Sequence, residues 1–260
     1  MTETTQVSCD AGRGVVTKEQ CLTCALAQQN ACGYDYSLLV YLLNDGERTG
    51  IHVTDLTGCL RMAYYRRTVN TLAEYPHDML IRKLGTAVHA QLESGDPYFG
   101  SEVSVNALGI VGKMDVFYNS GRILDYKTTR WMTPSKLPYG SHEKQVNYYA
   151  ALMREMGNEV SSAAIQYIDL SGPTKCKSCG KAFVPRNGDL ACPSCGKTYA
   201  EAHLGAKIFE VSLMPHGEVV AEITERRDAL LLSLEAEIAP APEDSFLCNY
   251  CPFVHICTNK

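Results

Sequence analysis

Twelve cysteines in a chain of 260 residues constrain the fold more than any other feature, because they fall into groups. Cys9, Cys21, Cys24 and Cys32 lie near the start, Cys59 stands alone, Cys176, Cys179, Cys192 and Cys195 form two pairs, and Cys248, Cys251 and Cys257 close the chain. The opening "MTETTQVSCDAG" has neither a basic segment nor an apolar h-region, and no apolar run approaches the roughly 20 residues that span a bilayer. A soluble, cytoplasmic protein without membrane contact is expected. A reducing compartment favours thiolates on metal over disulfides, which stay open for a hyperthermophilic source.

The middle group reads most directly. "CKSCGKAFVPRNGDLACPSCGK" sets two CxxC pairs with twelve residues between them, and each pair is followed by a Gly that lets its turn open amides toward sulfur. Cys176, Cys179, Cys192 and Cys195 are expected to bind zinc tetrahedrally in a ribbon inserted between two strands. Its few apolar residues bury little, so such a module depends on its ion for folding. Lys175, Lys177, Lys181, Arg186 and Lys197 make its surface basic, which is either a contact surface or ordinary solvated charge.

With 45% hydrophobic and 20% charged residues the rest can bury a full core. A formal charge of -5 argues against a uniformly basic nucleic-acid coat, although a local groove can still be positive. The segment "VTDLTGCLRMAYYRR" suggests a helix carrying Cys59, capped by Thr54 or Asp55, and "HDMLIRKLGTAVHAQLES" a second helix with His89 near its end. Three strand-like runs follow, "SEVSVNAL", "GIVGKMDVFY" and "RILDYKTT", the last two joined by "NSG" as a hairpin. Then come the helix "SHEKQVNYYAALMREMG", the strand "SAAIQYIDL", the cysteine insert, the strand "KIFEVSLM" and the long helix "GEVVAEITERRDALLLSLEAEIA". This order predicts an α/β fold with a central mixed sheet flanked by helices. The expected parts are a cysteine-bearing extension over 1–50, a core over 51–171 and 204–260, and the ribbon over 172–203.

Side chains alternate along a strand, so Asp125 and Lys127 share one face while Tyr126 takes the other. A hairpin partner carrying Asp115 brings a second carboxylate to the same place. Two repelling carboxylates are relieved by a hard divalent cation, Mg²⁺ or Mn²⁺, and a lysine beside them can hold a water or offset charge on a phosphoryl transition state. Acid-x-lysine also occurs by chance on strands as a solvated charge pair. Gln145 and Tyr149, four apart on one helical face, read equally as a polar and packing pair.

The order of these residues resembles the RecB-like branch of the PD-(D/E)XK nucleases: helical His89, "GKMD" ending at Asp115, "DYK" from Asp125 to Lys127, and "QVNYY" from Gln145 to Tyr149. The resemblance implies a restriction-endonuclease-like core. It also implies a metal held by His89, Asp115, Asp125 and the main-chain carbonyl of Tyr126, with Lys127 catalytic and Gln145 and Tyr149 shaping a DNA-binding face. Glu102 is a further acid that either joins the site or is merely solvated. Arg61, Arg66, Arg67, Arg82, Lys83 and Arg130 are available for phosphates, and Trp131, Tyr139 or Tyr148 for stacking on bases.

Cys248, Cys251 and Cys257 leave a four-ligand site one short, and Cys59 is the candidate to complete it. This arrangement resembles the iron-sulfur RecB-like nucleases, above all the CRISPR-associated Cas-four exonucleases, and implies a 4Fe-4S cluster on Cys59, Cys248, Cys251 and Cys257. On ligand chemistry alone a zinc site from the same thiolates stays open. Cys9, Cys21, Cys24 and Cys32 suggest a second zinc site, with free thiols or a disulfide as alternatives. The resemblance implies a metal-dependent exonuclease on single-stranded DNA, with protein partners in DNA repair, recombination or CRISPR adaptation. The extension and the ribbon depart from the Cas-four pattern. The competing readings are a non-catalytic DNA- or partner-binding scaffold and an iron-sulfur redox sensor.

Overall fold

The period-two alternation of "GIVGKMDVFY" and "RILDYKTT" is realised as an antiparallel pair inside a six-stranded mixed sheet. The computed structural model describes residues 6–27, 32–44, 49–69, 74–93, 99–129, 137–170, 174–183, 191–198, 205–244, 248–249 and 251–257. In chain order, β1 (Gln6–Ser8) and β2 (Val15–Thr17) precede α1 (Lys18–Leu26) and α2 (Tyr36–Leu42). The short β3 (Ile51–His52) leads to α3 (Val53–Leu56), α4 (Leu60–Thr68) and α5 (Pro76–Glu93). Strands β4 (Phe99–Ala107), β5 (Ile110–Tyr118) and β6 (Arg122–Thr129), helix α6 (Gly140–Glu155) and β7 (Ser162–Asp169) follow. The chain continues through β8 (Thr174–Lys175), β9 (Ala182–Phe183), β10 (Ala206–Val211), α7 (His216–Glu235) and α8 (Val254–Cys257). Among the described residues no helix is long and apolar enough to cross a membrane.

The chain divides into two compact units, Met1–Ala90 with Leu108–Gly112 and Gly217–Lys260, and Gln91–Ala107 with Lys113–His216. In the first, Thr17 closes a capping box at α1, accepting from the Gln20 N–H at 3.1 Å while the Gln20 side chain accepts from the Thr17 N–H at 2.9 Å. Val7, Ala25, Leu39, Leu42 and Leu43 bury themselves with Met79 of α5, so the N-terminal hairpin and first two helices share a core with a later helix.

The single helix expected to carry Cys59 is two helices. Cys59 is the N-cap of α4, with an extended ψ of 120°. The break is held from outside, since Arg226 donates to the carbonyl of Leu56 at 2.7 Å and to that of Gly58. Those carbonyls, freed at the end of α3, find partners that a continuous helix would have supplied internally.

In the second unit β6 lies between two strands of opposite sense. It pairs antiparallel with β5 through Val116↔Leu124 and Phe117↔Ile123, and parallel with β7 from Arg122↔Ser162 to Thr129↔Asp169. The parallel step is made by the crossover through α6, the βαβ arrangement such pairing requires. Strand β10 returns antiparallel beside β7 and β4 pairs with β5, while in the first unit β3 lies parallel to Ile110 and Val111 at the start of β5. The mixed sheet with flanking helices is the α/β class expected. At the β5–β6 turn Gly121 has φ +80°, and a Cβ there would stand 2.6 Å from the Glu159 carbonyl oxygen, so only glycine fits.

Candidate active site and cysteine centres

Val116, Leu124, Tyr126 and Ala164 pack together on one face of the sheet. Period two then puts Asp115, Asp125 and Lys127 on the other. Carried one step past Val116↔Leu124, the register sets Asp115 opposite Asp125, beyond the last rung of the ladder. There the Tyr126 N–H donates to Asp115 Oδ2 at 2.7 Å. Asp125 is 2% exposed. Lys127 Nζ contacts Asp125 Oδ2, with only 18% of the lysine side chain exposed. Two carboxylates held this close, one of them buried, repel unless cations offset them, and the lysine is one such cation.

Helix α6 lies over this face. Gln145 donates to the Tyr149 hydroxyl at 3.3 Å, and that hydroxyl donates to the Lys113 carbonyl at 2.8 Å, two residues before Asp115 on β5. Burial pushes the Tyr149 hydroxyl well above its ordinary range; the Gln145 hydrogen bond opposes this and the Asp125 and Asp115 charges add to it. Gln145 and Tyr149 are both buried, and Tyr149 braces the strand that carries Asp115.

Two residues of this face went unnoticed in the sequence. His142, three before Gln145 and on the same helical stripe, lies 2.7 Å through Nδ1 from the Tyr167 hydroxyl, and Tyr167 is the β7 register partner of Lys127. Burial, followed by the Lys127 charge, lowers the His142 pKa to about 4. The signal was helical spacing, and it acquires meaning only once β7 is known to lie beside β6. His89 sits half-buried on the part of α5 that belongs to the first unit.

One expected stacking contact is corrected, and four of the cations expected at phosphates have partners within the protein. Tyr148 is 1% exposed and cannot stack on a base. Arg61 donates to the Pro240 carbonyl at 2.6 Å and to the Cys257 carbonyl at 3.0 Å. Arg67 pairs with Asp55 at 2.5 Å, Arg82 pairs with Glu74 at 2.7 Å, and Lys83 lies over the Tyr41 ring at 5.4 Å. Each of these cations is engaged within its own unit. Arg130, Trp131, Arg186 and the side chain of Glu102 lie outside the described residues.

The four cysteines of the middle group converge. Cys176 and Cys195 sulfurs are 3.6 Å apart, Cys179 and Cys192 3.7 Å, and all four lie within 4.8 Å of one another. The two halves repeat one turn. Cys176 N–H donates to Lys181 O at 2.8 Å and Gly180 N–H to Cys176 O at 2.8 Å, while Cys192 N–H donates to Lys197 O at 2.9 Å and Gly196 N–H to Cys192 O at 2.8 Å. Gly180 and Gly196 have φ of +72° and +71°, which closes each turn without strain. The module hangs from the β7–β10 hairpin, where the Asp169 N–H still donates to the Gly205 carbonyl at 2.9 Å.

Among the described residues no other set of three or more His, Cys, Asp or Glu ligand atoms is gathered this tightly, and no disulfide forms. Cys59 and the terminal three are nevertheless tied into one neighbourhood. Glu243 accepts from the Leu60 N–H at 2.9 Å, its carbonyl lies 3.9 Å from Cys248 Sγ, and Arg61 Nη1 lies 3.8 Å from Cys257 Sγ. Phe253, fully buried, packs tilted against Tyr65 of α4 with ring centroids 5.5 Å apart. Near the start, burial pushes the Cys21 thiol up, and Cys32, Cys9, Cys24 and Asp10 add to it, so these four cysteines are electrostatic neighbours.

A profile of the PD-(D/E)XK nuclease superfamily matches residues 96–258. Among solved structures, a protein designated SSO0001 is 20% identical with a TM-score of 0.52, covering 85% of this chain and 92% of its own. That likeness supports the fold. An alkaline exonuclease from Laribacter hongkongensis is 13% identical with a TM-score of 0.39 over 72% of this chain and 89% of its own. A phage-related exonuclease from Haemophilus somnus is 14% identical with a TM-score of 0.34 over 88% and 85%. No curated protein matches the sequence.

Proposed function

The chain belongs to the PD-(D/E)XK nuclease superfamily, and from that premise we propose that it is a divalent-cation-dependent deoxyribonuclease whose site is Asp115, Asp125 and Lys127 under α6. One observation carries this reading: the Tyr126 N–H donates to Asp115 Oδ2 next to the buried Asp125, whose carboxylate contacts Lys127. A solvated charge pair does not bury a carboxylate to 2% exposure with a second one facing it.

The donor set fits a hard cation. Asp115, Asp125 and the Tyr126 main-chain carbonyl would supply oxygens of the kind Mg²⁺ and Mn²⁺ prefer, and His89 is added on the resemblance alone. When bound, the ion supplies Lewis-acid polarisation of the phosphate and acidifies water. Lys127 orients the attacking water and stabilises the negative charge that grows on the phosphoryl oxygens. Water adds to phosphorus, the bond to the leaving sugar oxygen breaks, and that oxygen takes up a proton. Tyr149 fixes β5 through the Lys113 carbonyl, holding Asp115 at its post. Single-strand preference and exonucleolytic action rest on the resemblance to RecB-like and Cas-four nucleases.

Cys176, Cys179, Cys192 and Cys195 hold zinc. A tetrahedron with zinc–sulfur bonds of about 2.3 Å has edges of about 3.8 Å, close to the sulfur separations of 3.6 and 3.7 Å. Cys59, Cys248, Cys251 and Cys257 hold a 4Fe-4S cluster, whose thiolates bind four separate irons and so stand further apart than those on one ion. Cys9, Cys21, Cys24 and Cys32 hold a second zinc.

The test is cleavage of end-labelled single- and double-stranded DNA with Mn²⁺ or Mg²⁺ by anaerobically purified protein, set beside Lys127→Ala and Asp115→Asn. Loss of cutting in both variants, with metal content unchanged at the cysteine sites, is expected. Equal cutting by both would remove the proposed site.

A further inference from the structure

The Tyr167 hydroxyl settles which nitrogen of His142 carries its proton. Tyr167 is 1% exposed, so its O–H must find an acceptor within the protein. One of its oxygen lone pairs already receives the Tyr139 N–H at 3.2 Å. Among the described residues the acceptor within reach of the phenolic proton is His142 Nδ1, at 2.7 Å. The imidazole proton is therefore on Nε2, away from Tyr167. Protonating Nδ1 would set N–H against O–H and forfeit the bond, which agrees with a pKa lowered to about 4 by burial and then by Lys127. The ring is fixed as well as its tautomer: it lies edge-on to Tyr139 at 5.5 Å and tilted on Tyr167 at 5.7 Å between centroids.

Tyr167 stands beside Lys127 in the β6–β7 register, and α6 carries His142 on the stripe that holds Gln145 and Tyr149 over the two aspartates. The Nε2–H finds no partner among the described residues. A neutral donor held beside the lysine of a phosphodiester site is matched by one chemistry, an oxygen of the phosphate being cut. We propose that His142 is a catalytic residue that donates its Nε2–H to a non-bridging oxygen of the scissile phosphate, and that Tyr167 is a positioning residue that locks His142 in the donating tautomer. This rests on the reading of Asp115, Asp125 and Lys127 as the nuclease site. A neutral donor suits a place beside an ammonium, since a second cation would repel Lys127.

The experiment compares His142→Phe, His142→Asn, His142→Gln, Tyr167→Phe and Lys127→Ala on a DNA substrate bearing a single phosphorothioate of defined configuration at the scissile linkage. Phe keeps the ring without a donor, Asn keeps a polar group at the Nδ1 position, and Gln places an amide N–H where Nε2 stood. His142→Phe should lower kcat about 30-fold, Gln should recover most of the loss and Asn little. Tyr167→Phe should lower kcat less, since the other tautomer becomes accessible. For one diastereomer the slowing caused by sulfur should shrink about tenfold in His142→Phe relative to wild type, and for the other it should not change. Equal sulfur effects in both proteins, or Asn rescuing as well as Gln, would overturn the assignment even if Lys127→Ala is inactive. Should Lys127→Ala cut at the wild-type rate, the underlying site is wrong instead. Thermal melts of each variant separate misfolding from lost chemistry.

Discussion

Asp115 takes the Tyr126 main-chain N–H at 2.7 Å just where β5 and β6 cease to pair, so a carboxylate stands in for a rung of the ladder. That bond fixes the Asp115 carboxyl by one oxygen before any cation arrives. Asp115→Asn keeps an oxygen acceptor and should leave stability nearly unchanged. Its cleavage should fall by more than the roughly 10–100-fold that follows loss of a metal's outer-shell partner. Asp115→Ala should also cost about 1–3 kcal/mol through the orphaned Tyr126 N–H. Urea unfolding and cleavage rates on the same preparations check both.

Tyr149→Phe strips the Lys113 carbonyl and the Gln145 amide of their shared partner. About 1–3 kcal/mol of stability should go with it. Cleavage should fall at saturating Mn²⁺ as well, because β5 loses its tether; unchanged kcat would mean that the hydroxyl braces the fold alone.

Gly121→Ala combines a φ of +80° with a Cβ 2.6 Å from the Glu159 carbonyl oxygen. A loss of about 2 kcal/mol is expected in urea melts, with activity per folded molecule retained, since the two β5–β6 rungs stand between the turn and Asp115 and Asp125.

Much of this arrangement could be read from residues alone, and the exceptions share a cause. Asp125, Tyr126 and Lys127 declared their faces because strand alternation is local, and Asp115 followed from a short hairpin. The cysteine turns at Cys176 and Cys192 announced themselves because each closes within six residues. His142 did not, since its meaning depends on β7 lying parallel to β6 across a crossover. The break at Gly58 was equally hidden, because Arg226, which receives the loose carbonyls, lies 168 positions later in the chain. Arg61 and Arg67 read as free cations until their distant carbonyl and carboxylate partners were in place.

Acid should weaken the protein through His142. The folded-state pKa of about 4 lies below the unfolded value of 6.5, so the unfolded chain binds the extra proton. No penalty applies above pH 6.5; it grows as pH falls toward 4, reaching about 2–3 kcal/mol. His142→Gln, which does not titrate, should flatten that part of the stability–pH curve measured by urea denaturation.

Removing metal from Cys176, Cys179, Cys192 and Cys195 with a strong chelator should release about one zinc per site and expose residues 174–198 to protease. The sheet should keep its resistance. Iron and acid-labile sulfide analysis after Cys248→Ser checks the other centre independently, and iron retained in full would count against the cluster there.

The module between β7 and β10 hangs from a hairpin that is already complete beneath it, with Ala206 opposite Ile168 and Val211 opposite Ala163. Because the entropy of closing a longer loop rises only logarithmically, two strands that meet side by side are almost indifferent to what dangles at their apex. Such a tip is an open mounting point. A lineage can graft, trade or discard a whole domain there while the hydrolytic machinery below inherits no mechanical disturbance.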